Sequence, residues 1–141
     1  MIRSFLAGAA YFVIVFIAAF ALGTLRVLFV VPALGDVGAT LIEAPFTLAI
    51  SWLVCRWLLG RLGAFSLTQA IGMGAIAFAL LMGAEAAGAI LLFGRTLSEH
   101  IGSYATAAGA LGLAGQIAFG VFPIVQTIGR IRSTAPPAVE G

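Results

Sequence analysis

Four long apolar runs occupy most of this chain and decide which solvent it can fold in. They cover residues 5–25, 38–59, 69–93 and 104–127. Each run has about 20 residues or more, and a helix of that length, at about 1.5 Å per residue, crosses a hydrocarbon layer about 30 Å thick. The sequence therefore predicts an all-α integral membrane protein that is built as a four-helix bundle.

The composition supports the same class and limits the chain to one domain. Apolar residues make up 62% of the 141 positions and charged residues only 9%, so the short breaks between the runs cannot form a soluble domain. We expect a transmembrane domain over residues 1–132 and a disordered cytoplasmic tail over residues 133–141, which include Pro136 and Pro137. The expected spans are residues 5–31, 38–59, 69–93 and 104–127.

Residues 27–31 leave two alternatives open for the end of the first span. They are apolar but follow Arg26, so they either extend the first helix or lie in the membrane interface. Pro32 is expected to end the helix, because a proline biases the preceding residue towards extended geometry, and Gly35 and Asp36 then form a turn. We favour a tilted first helix that continues to about residue 31 and carries Arg26 near its outer end.

The arginines indicate how the bundle is oriented. If the N-terminus is cytoplasmic, most arginines lie on the cytoplasmic side of the membrane. This agrees with the excess of basic residues that the cytoplasmic loops of membrane proteins carry. Several of them also lie near helix C-termini, where the helix dipole favours cations in either orientation. We expect both termini in the cytoplasm, with the bundle in a bacterial inner membrane. The inside set is Arg3, Arg56, Arg61, Arg130 and Arg132, and the outside set is Arg26 and Arg95.

Two carboxylates inside the expected spans form a candidate cluster with one arginine. Glu43 and Glu85 both fall in the outer half of the bilayer, at a depth compatible with Arg26. A charged side chain at mid-bilayer costs about 2.5–3.5 kcal/mol, so each carboxylate needs a partner or a function. Two acids that share one arginine suit proton or ion coupling. The alternatives are a structural pair of Glu43 with Arg26 beside a hydrogen-bonded neutral Glu85, or contact with a ligand.

A candidate polar seam follows one face of the second span. Thr40, Thr47 and Ser51 recur at helical spacing on the face that carries Glu43. Pro45 lies inside this helix and frees a carbonyl group one turn earlier, which a membrane tolerates only where protein or water satisfies it. The seam is therefore expected to point into the bundle or into a hydrated cleft. Ordinary interhelical hydrogen bonds are the simpler explanation of the same residues.

The fourth span carries a candidate helix-packing face of small residues. Its members are Gly109, Gly112, Gln116 and Gly120, spaced by three or four residues. Small residues let another helix approach closely, and Gln116 adds a hydrogen-bonding group near the middle of the bilayer. The partner helix belongs either to the same chain or to a second protein.

The rarest residue types exclude several kinds of chemistry. One cysteine, Cys55, excludes an intrachain disulfide, and one histidine, His100, excludes a bis-histidine haem or a three-histidine zinc site within the chain. The absence of lysine excludes Schiff-base chemistry. The few dispersed arginines do not form a nucleic-acid surface. We therefore expect no cofactor, no metal, no nucleic-acid partner and no enzyme activity, with cofactor-free acid catalysis at the glutamates as the only enzymatic alternative.

One stretch runs from Gly23-Thr24-Leu25-Arg26-Val27-Leu28 through Pro32 and Gly35 to Glu43-Ala44-Pro45. It is similar to uncharacterised small four-span inner-membrane proteins of bacteria, and the resemblance implies no activity. Small multidrug-resistance exporters share the four-span size, but their functional acid lies in the first span, which carries no acid here. Their dual-topology members also lack the arginine bias of this chain.

These observations leave two functional hypotheses. The first is a structural or accessory membrane protein that packs, within the lipid bilayer, against itself or a larger membrane partner. It requires the small-residue face of the fourth span to be exposed. The second is a proton-coupled transporter or channel, which requires an outward-facing hydrated cleft lined by Arg26, Glu43, Glu85 and the polar seam.

Overall fold

The structure, a computed structural model, describes residues 1–134, and its regular structure over these residues is helical. The prediction of an all-α protein is confirmed for this part of the chain. A π-helical turn over Arg26–Val30 joins the first two helices. The α-helices are α1 (Ile2–Leu25), α2 (Val31–Leu62), α3 (Leu67–Leu91), α4 (Leu97–Ser103) and α5 (Ala107–Thr134).

Three helical stretches are long and apolar enough to cross a membrane, by length and composition: Ile2–Leu62, Leu67–Leu91 and Ala107–Ser133. The first of them is bent at Gly35, whose backbone (φ 70°, ψ 176°) is not helical. A positive φ costs glycine little because it has no Cβ atom. The bend returns α2 along α1, so this stretch supplies two neighbouring helices of the bundle.

The predicted helix stop at Pro32 is wrong, and the break lies at Gly35 instead. Pro32 occupies the first turn of α2, where its missing N–H costs no hydrogen bond. The preceding residue stays helical because the Val31 N–H bonds to the Arg26 carbonyl group in the π-helical turn. Residues 27–31 therefore extend the first helix rather than leave it.

Two other boundaries differ from the predicted ones. Tyr104 was placed at the start of the fourth span, but it follows the short helix α4, and α5 begins only at Ala107. Thr96 and Glu99 form a capping box that starts α4, and a hydropathy pattern does not detect such a short polar helix. At the other end, α5 continues through Thr134, so the predicted tail boundary at residue 133 is too early. The rest of that tail, residues 135–141, lies outside the described residues.

The long helices form a closed ring in which α1 packs against α2 and α3, and α5 packs against the same two helices. Tyr11 crosses the centre of this ring. Its hydroxyl group donates to the Phe119 carbonyl oxygen at 3.1 Å, and the two rings stack at 4.3 Å. The buried core around this pair also contains Ala7, Val15, Cys55, Leu58, Leu59, Met73 and Ala77.

The bundle has two ends with different charge. At the basal end, where α1 begins and α5 ends, Arg3 Nη2 donates to the Leu62 carbonyl oxygen at 2.8 Å, and Arg130 Nη2 donates to the Arg56 carbonyl oxygen at 3.0 Å. The Gly35 bend and α4 lie at the opposite, distal end. The acids of residues 1–134 all belong to the distal half: Asp36, Glu43, Glu85 and Glu99.

Candidate functional site

A polar cleft of about 550 Å³ opens in the distal half of the bundle, between the four long helices. α1 and α2 form one side, α3 and α5 form the other, and the segment around α4 lies at the rim. A cavity lined by charged groups is exceptional in a helix bundle of this apolar composition. Its charged and polar lining residues include Arg26, Asp36, Thr40, Glu43, Thr47, Ser51, Glu85, Arg95 and Gln116.

The cleft is closed towards the basal end by the hydrophobic core. Val15 and Phe119 line the cleft and also belong to the buried core cluster. Tyr11 stacks on Phe119 directly below, and it is fully buried. This packing separates the cleft from the basal end of the bundle.

The α1–α2 side of the cleft carries an ion pair. Arg26 Nε lies 2.7 Å from Glu43 Oε2, and the two side chains retain 28% and 21% of their exposure. Arg26 Nη1 also donates to Thr40 Oγ1 at 3.2 Å, and Thr40 in turn donates to the Asp36 carbonyl oxygen. The bend at Gly35 makes this pair possible, because it turns the start of α2 back against the end of α1.

The α3–α5 side holds the second carboxylate in a different network. The Gln116 Nε2 group donates to both oxygens of Glu85 at 2.7 Å. Tyr104 donates its hydroxyl hydrogen to Glu85 Oε2 at 3.4 Å, and the same hydroxyl group lies 3.1 Å from His100 Nε2. A continuous chain of polar groups therefore runs from His100 at the rim, through Tyr104, to Glu85 inside the bundle.

The hydroxyl group of Tyr104 is suited to pass a hydrogen along this chain. Burial, and then the nearby Glu85 carboxylate, raise the pKa of Tyr104 above its usual range. The hydroxyl group thus stays protonated at neutral pH and donates to Glu85. When the His100 Nε2 atom carries a hydrogen, it donates to the Tyr104 hydroxyl oxygen. If that hydrogen moved to Tyr104 while the Tyr104 hydroxyl hydrogen moved to Glu85, a proton would pass from His100 to Glu85.

Helix α4 positions His100 and Tyr104, and Glu99 anchors that helix. The Thr96 N–H donates to Glu99 Oε2 at 2.8 Å, and the Glu99 N–H donates to Thr96 Oγ1 at 3.2 Å. These hydrogen bonds, made first by the Thr96 backbone and then by its side chain, lower the pKa of the exposed Glu99 carboxyl group. The charged form of Glu99 is thus the form that supports the start of α4.

The candidate cluster of Arg26, Glu43 and Glu85 divides into two parts that face the same cleft. Arg26 pairs with Glu43, and this is the single ion pair among residues 1–134. Glu85 is held instead by Gln116 and Tyr104. The Arg26–Glu43 pair is the one that the structural alternative from the sequence contained. The sequence did not indicate that Gln116 and Tyr104 contact Glu85.

The seam residues Thr40, Thr47 and Ser51 all line the cleft. Cys55, on the same face of α2, lies below the cleft in the buried core. The Thr47 hydroxyl oxygen has no hydrogen-bond partner among the described residues, and neither has Gln116 Oε1. These two atoms leave hydrogen-bonding capacity on opposite sides of the cleft.

The small-residue face of α5 is used inside the chain. Gly120 packs against α3, where a Cβ atom on Gly74 would overlap the Gly120 carbonyl oxygen. The other members of the face, Gly109, Gly112 and Gln116, line the cleft. The face is therefore divided between helix packing and the wall of the cavity.

Four cleft or rim residues were not singled out as site residues from the sequence. Asp36 and Arg95 line the cleft, and His100 and Tyr104 connect it to the rim. His100 lies in α4 and contacts Tyr104 one turn later. The spacing of four residues between them, after the Thr96–Glu99 capping pattern, is the signal that could have found this pair.

The lining defines what the cleft can do chemically. No group of three or more histidine, cysteine or acidic residues among residues 1–134 could hold a metal ion. Three acids and two arginines line the cavity, so an ionised lining is net negative and favours a cationic or zwitterionic solute over an anion. Glu85 offers a carboxyl group that can exchange a proton through its own hydrogen-bond chain.

Comparison of the chain with protein-family models, with curated proteins and with solved structures finds no match. The activity of a relative therefore cannot be carried over to this chain. The geometry of the cleft has to support any functional conclusion.

Proposed function

We propose that this chain is a small proton-coupled transporter or channel of the bacterial inner membrane. In this proposal α1, α2, α3 and α5 each cross the bilayer, and both termini lie in the cytoplasm. The cleft then opens to the outer side. The charge distribution supports this orientation, because the basal end carries five arginines and the distal half carries the four acids of residues 1–134.

The observation that carries the proposal is the hydrogen-bonded chain between His100 and Glu85. An intramembrane carboxyl group is costly and marks a proton or ion pathway in many membrane proteins. Here Glu85 faces a polar cavity, and the Tyr104 hydroxyl group connects it to His100, whose imidazole ring can both donate and accept a hydrogen. A residue with a purely structural role would not require this connection.

The closed basal half shapes the mechanism. Because the Tyr11–Phe119 stack and the surrounding core separate the cleft from the basal end, free proton leakage is not expected. A solute that enters the cleft and changes the contacts of Glu85 would couple proton exchange to its own movement. To release the solute on the basal side, α1 and α5 would have to separate at the Tyr11–Phe119 stack.

The accessory hypothesis finds less support in the geometry. It required the small-residue face of α5 to lie on the outside of the bundle, ready for another helix. Gly120 instead contacts α3, and Gly109 and Gly112 border the cleft. Packing against a partner also does not require a polar cleft between the helices.

The test is proton uptake in liposomes that contain the purified full-length protein and a pH-sensitive dye. A pH gradient is imposed first without solute and then with a pooled set of small cationic and zwitterionic solutes outside. Protein-dependent proton uptake is expected, mainly with solute, and Glu85→Gln should reduce it to the rate of protein-free liposomes. The variant keeps the shape of the side chain but cannot exchange a proton.

Glu99→Gln is the matched control for this substitution. It also converts a glutamate to a glutamine, and a glutamine at the third helical position still completes a capping box. Wild-type uptake is expected for this variant. The proposal fails if the wild-type protein gives no uptake under either condition, or if the Glu85 variant retains it.

A further inference from the structure

A second cavity, of about 510 Å³, lies at the basal end between α2 and α5. It is separate from the polar cleft and shares no lining residue with it. Three arginines surround it, together with two apolar side chains and one glycine. The lining residues are Leu53, Arg56, Trp57, Gly60, Arg61 and Arg130.

The arginines of this basic pocket belong to two helices, α2 and α5, and two of them have contacts that position their guanidinium groups. Arg130 of α5 donates its Nη2 hydrogen to the Arg56 carbonyl oxygen at 3.0 Å, which fixes the guanidinium group against α2. Gly60 lies beside this group, since a Cβ atom there would make ordinary van der Waals contact with Arg130 Nη2 at 3.8 Å. The guanidinium group of Arg61 lies 5.2 Å from the centroid of the Trp57 ring, a cation–π distance. Two of the three cationic groups are therefore positioned before any ligand arrives.

The pocket also has an apolar side. Leu53 and Trp57 are exposed on α2, one turn apart, on the side that leads from the arginines towards the middle of the bundle. Tryptophan side chains concentrate at the level of lipid headgroups, with the ring partly in the hydrocarbon. The pocket thus combines arginine side chains at the basal end of the bundle with an apolar wall that continues into the membrane.

The surrounding charge strengthens the positive field. Arg3 and Arg132 lie at the same end, outside the pocket, and the acids of residues 1–134 belong to the opposite half. An anion at this position would therefore meet attractive potentials from several directions. In a membrane, the anions present at this depth are lipid phosphates.

We propose that this pocket binds the headgroup of an anionic phospholipid. The guanidinium groups of Arg56 and Arg61, with Arg130 behind them, would bind the phosphate, since arginine matches phosphate with two parallel hydrogen bonds. One acyl chain would lie along Leu53 and Trp57. A free phosphate ion would use the arginines but not the apolar wall, so the wall is the reason to assign the site to a lipid. The inference does not depend on proton coupling at the cleft.

Native mass spectrometry of the full-length protein in mild detergent tests the proposal. The protein is titrated with phosphatidylglycerol and, separately, with phosphatidylcholine. One phosphatidylglycerol molecule is expected to bind more tightly than phosphatidylcholine. The double variant Arg56→Gln/Arg61→Gln should weaken the binding of phosphatidylglycerol about thirtyfold, because each arginine near an anionic headgroup contributes about fivefold. The matched control is Arg132→Gln with Arg3→Gln, which removes two charges from the same end but leaves the pocket intact. Equal binding of both lipids, or equal binding by the two double variants, would overturn the proposal.

Tryptophan fluorescence gives a second measurement that does not depend on the arginine variants. In a Trp52→Phe protein, Trp57 is the single tryptophan. Phosphatidylglycerol with brominated acyl chains should quench it more strongly than brominated phosphatidylcholine at the same mole fraction. Inorganic phosphate is added as a competitor. If it displaces the lipid at millimolar concentration and abolishes the difference in quenching, the site takes free phosphate and the lipid assignment is wrong.

Discussion

The Tyr104 hydroxyl group connects His100 to the carboxyl group of Glu85 inside the bundle. Replacing Tyr104 with phenylalanine removes the hydroxyl group that contacts both His100 Nε2 and Glu85 Oε2 and leaves the ring in place. Because the hydrogen-bonded chain is then broken, we expect proton uptake in liposomes to fall by about tenfold or more. Thermal unfolding in detergent should change little, since Tyr104 is only partly buried and its hydrogen bond to Glu85 is long.

Tyr11→Phe provides the comparison for this prediction. It removes a tyrosine hydroxyl group from the core, where Tyr11 donates to the Phe119 carbonyl oxygen. Losing a buried hydrogen bond of this kind costs about 1 kcal/mol, so the unfolding temperature should fall while proton uptake persists. A relay through Tyr104 is ruled out if the two variants show the same uptake.

At the level of helices, the contact between α3 and α5 depends on two glycines. A methyl group on Gly74 would overlap the carbonyl oxygen of Gly120, which is backbone and cannot rotate away. Gly74→Ala is therefore expected to destabilise the protein by about 1–3 kcal/mol and to lower its apparent unfolding temperature. Gly83→Ala, in the same helix but facing open space, should leave stability unchanged or slightly raised, because alanine favours helix more than glycine. Equal effects of the two variants would show that the helices do not meet at Gly74.

Helix α4 should respond to acidic pH through its capping residue. The hydrogen bonds from Thr96 lower the pKa of Glu99, so the charged carboxylate stabilises the start of the helix above its unfolded pKa. This contribution is lost as the pH falls below the ordinary glutamate pKa of about 4.3 and through the lowered folded-state pKa. Hydrogen-exchange protection factors of residues 97–103, which correct for intrinsic exchange, are expected to fall over this range. In Glu99→Gln the capping group does not titrate, so constant protection is expected, and a matching decline in that variant would refute the assignment.

The elements and the site differ in how far the sequence could predict them. A helix in lipid satisfies its own backbone, so an apolar run of sufficient length predicts a helix almost without regard to its neighbours. The end of such a helix is harder to predict from the sequence. Pro32 lies in the first turn of α2 without ending the helix, and the backbone conformation that breaks the helix occurs at Gly35. The pairing of Glu85 with Gln116 was out of reach, because helical periodicity defines the face on which a residue lies but not the helix that it faces.

At the scale of the whole molecule, the two ends have opposite character. The basal end combines arginines with a closed hydrophobic core, and the distal half combines the acids with an open cleft. The proposed orientation puts the basic end in the cytoplasm, where it meets anionic lipids, and the cleft outside, where it meets the external solution. Both proposals about ligands therefore depend on the same orientation of the chain, which can be measured directly.

Single cysteines in a Cys55→Ala background would report that orientation, since Cys55 is fully buried and its removal leaves no other thiol. Leu97→Cys lies at the distal end in α4, Ser133→Cys lies at the basal end of α5, and Ile17→Cys lies on the exposed apolar side of α1. With a membrane-impermeant maleimide, the Leu97 variant is expected to react in intact cells and the Ser133 variant only after permeabilisation. The Ile17 variant should stay unlabelled in both conditions, because lipid excludes the reagent and keeps the thiol from ionising. Labelling of Ser133 but not Leu97 in intact cells would invert the orientation, and rapid labelling at Ile17 would mean that water surrounds the bundle.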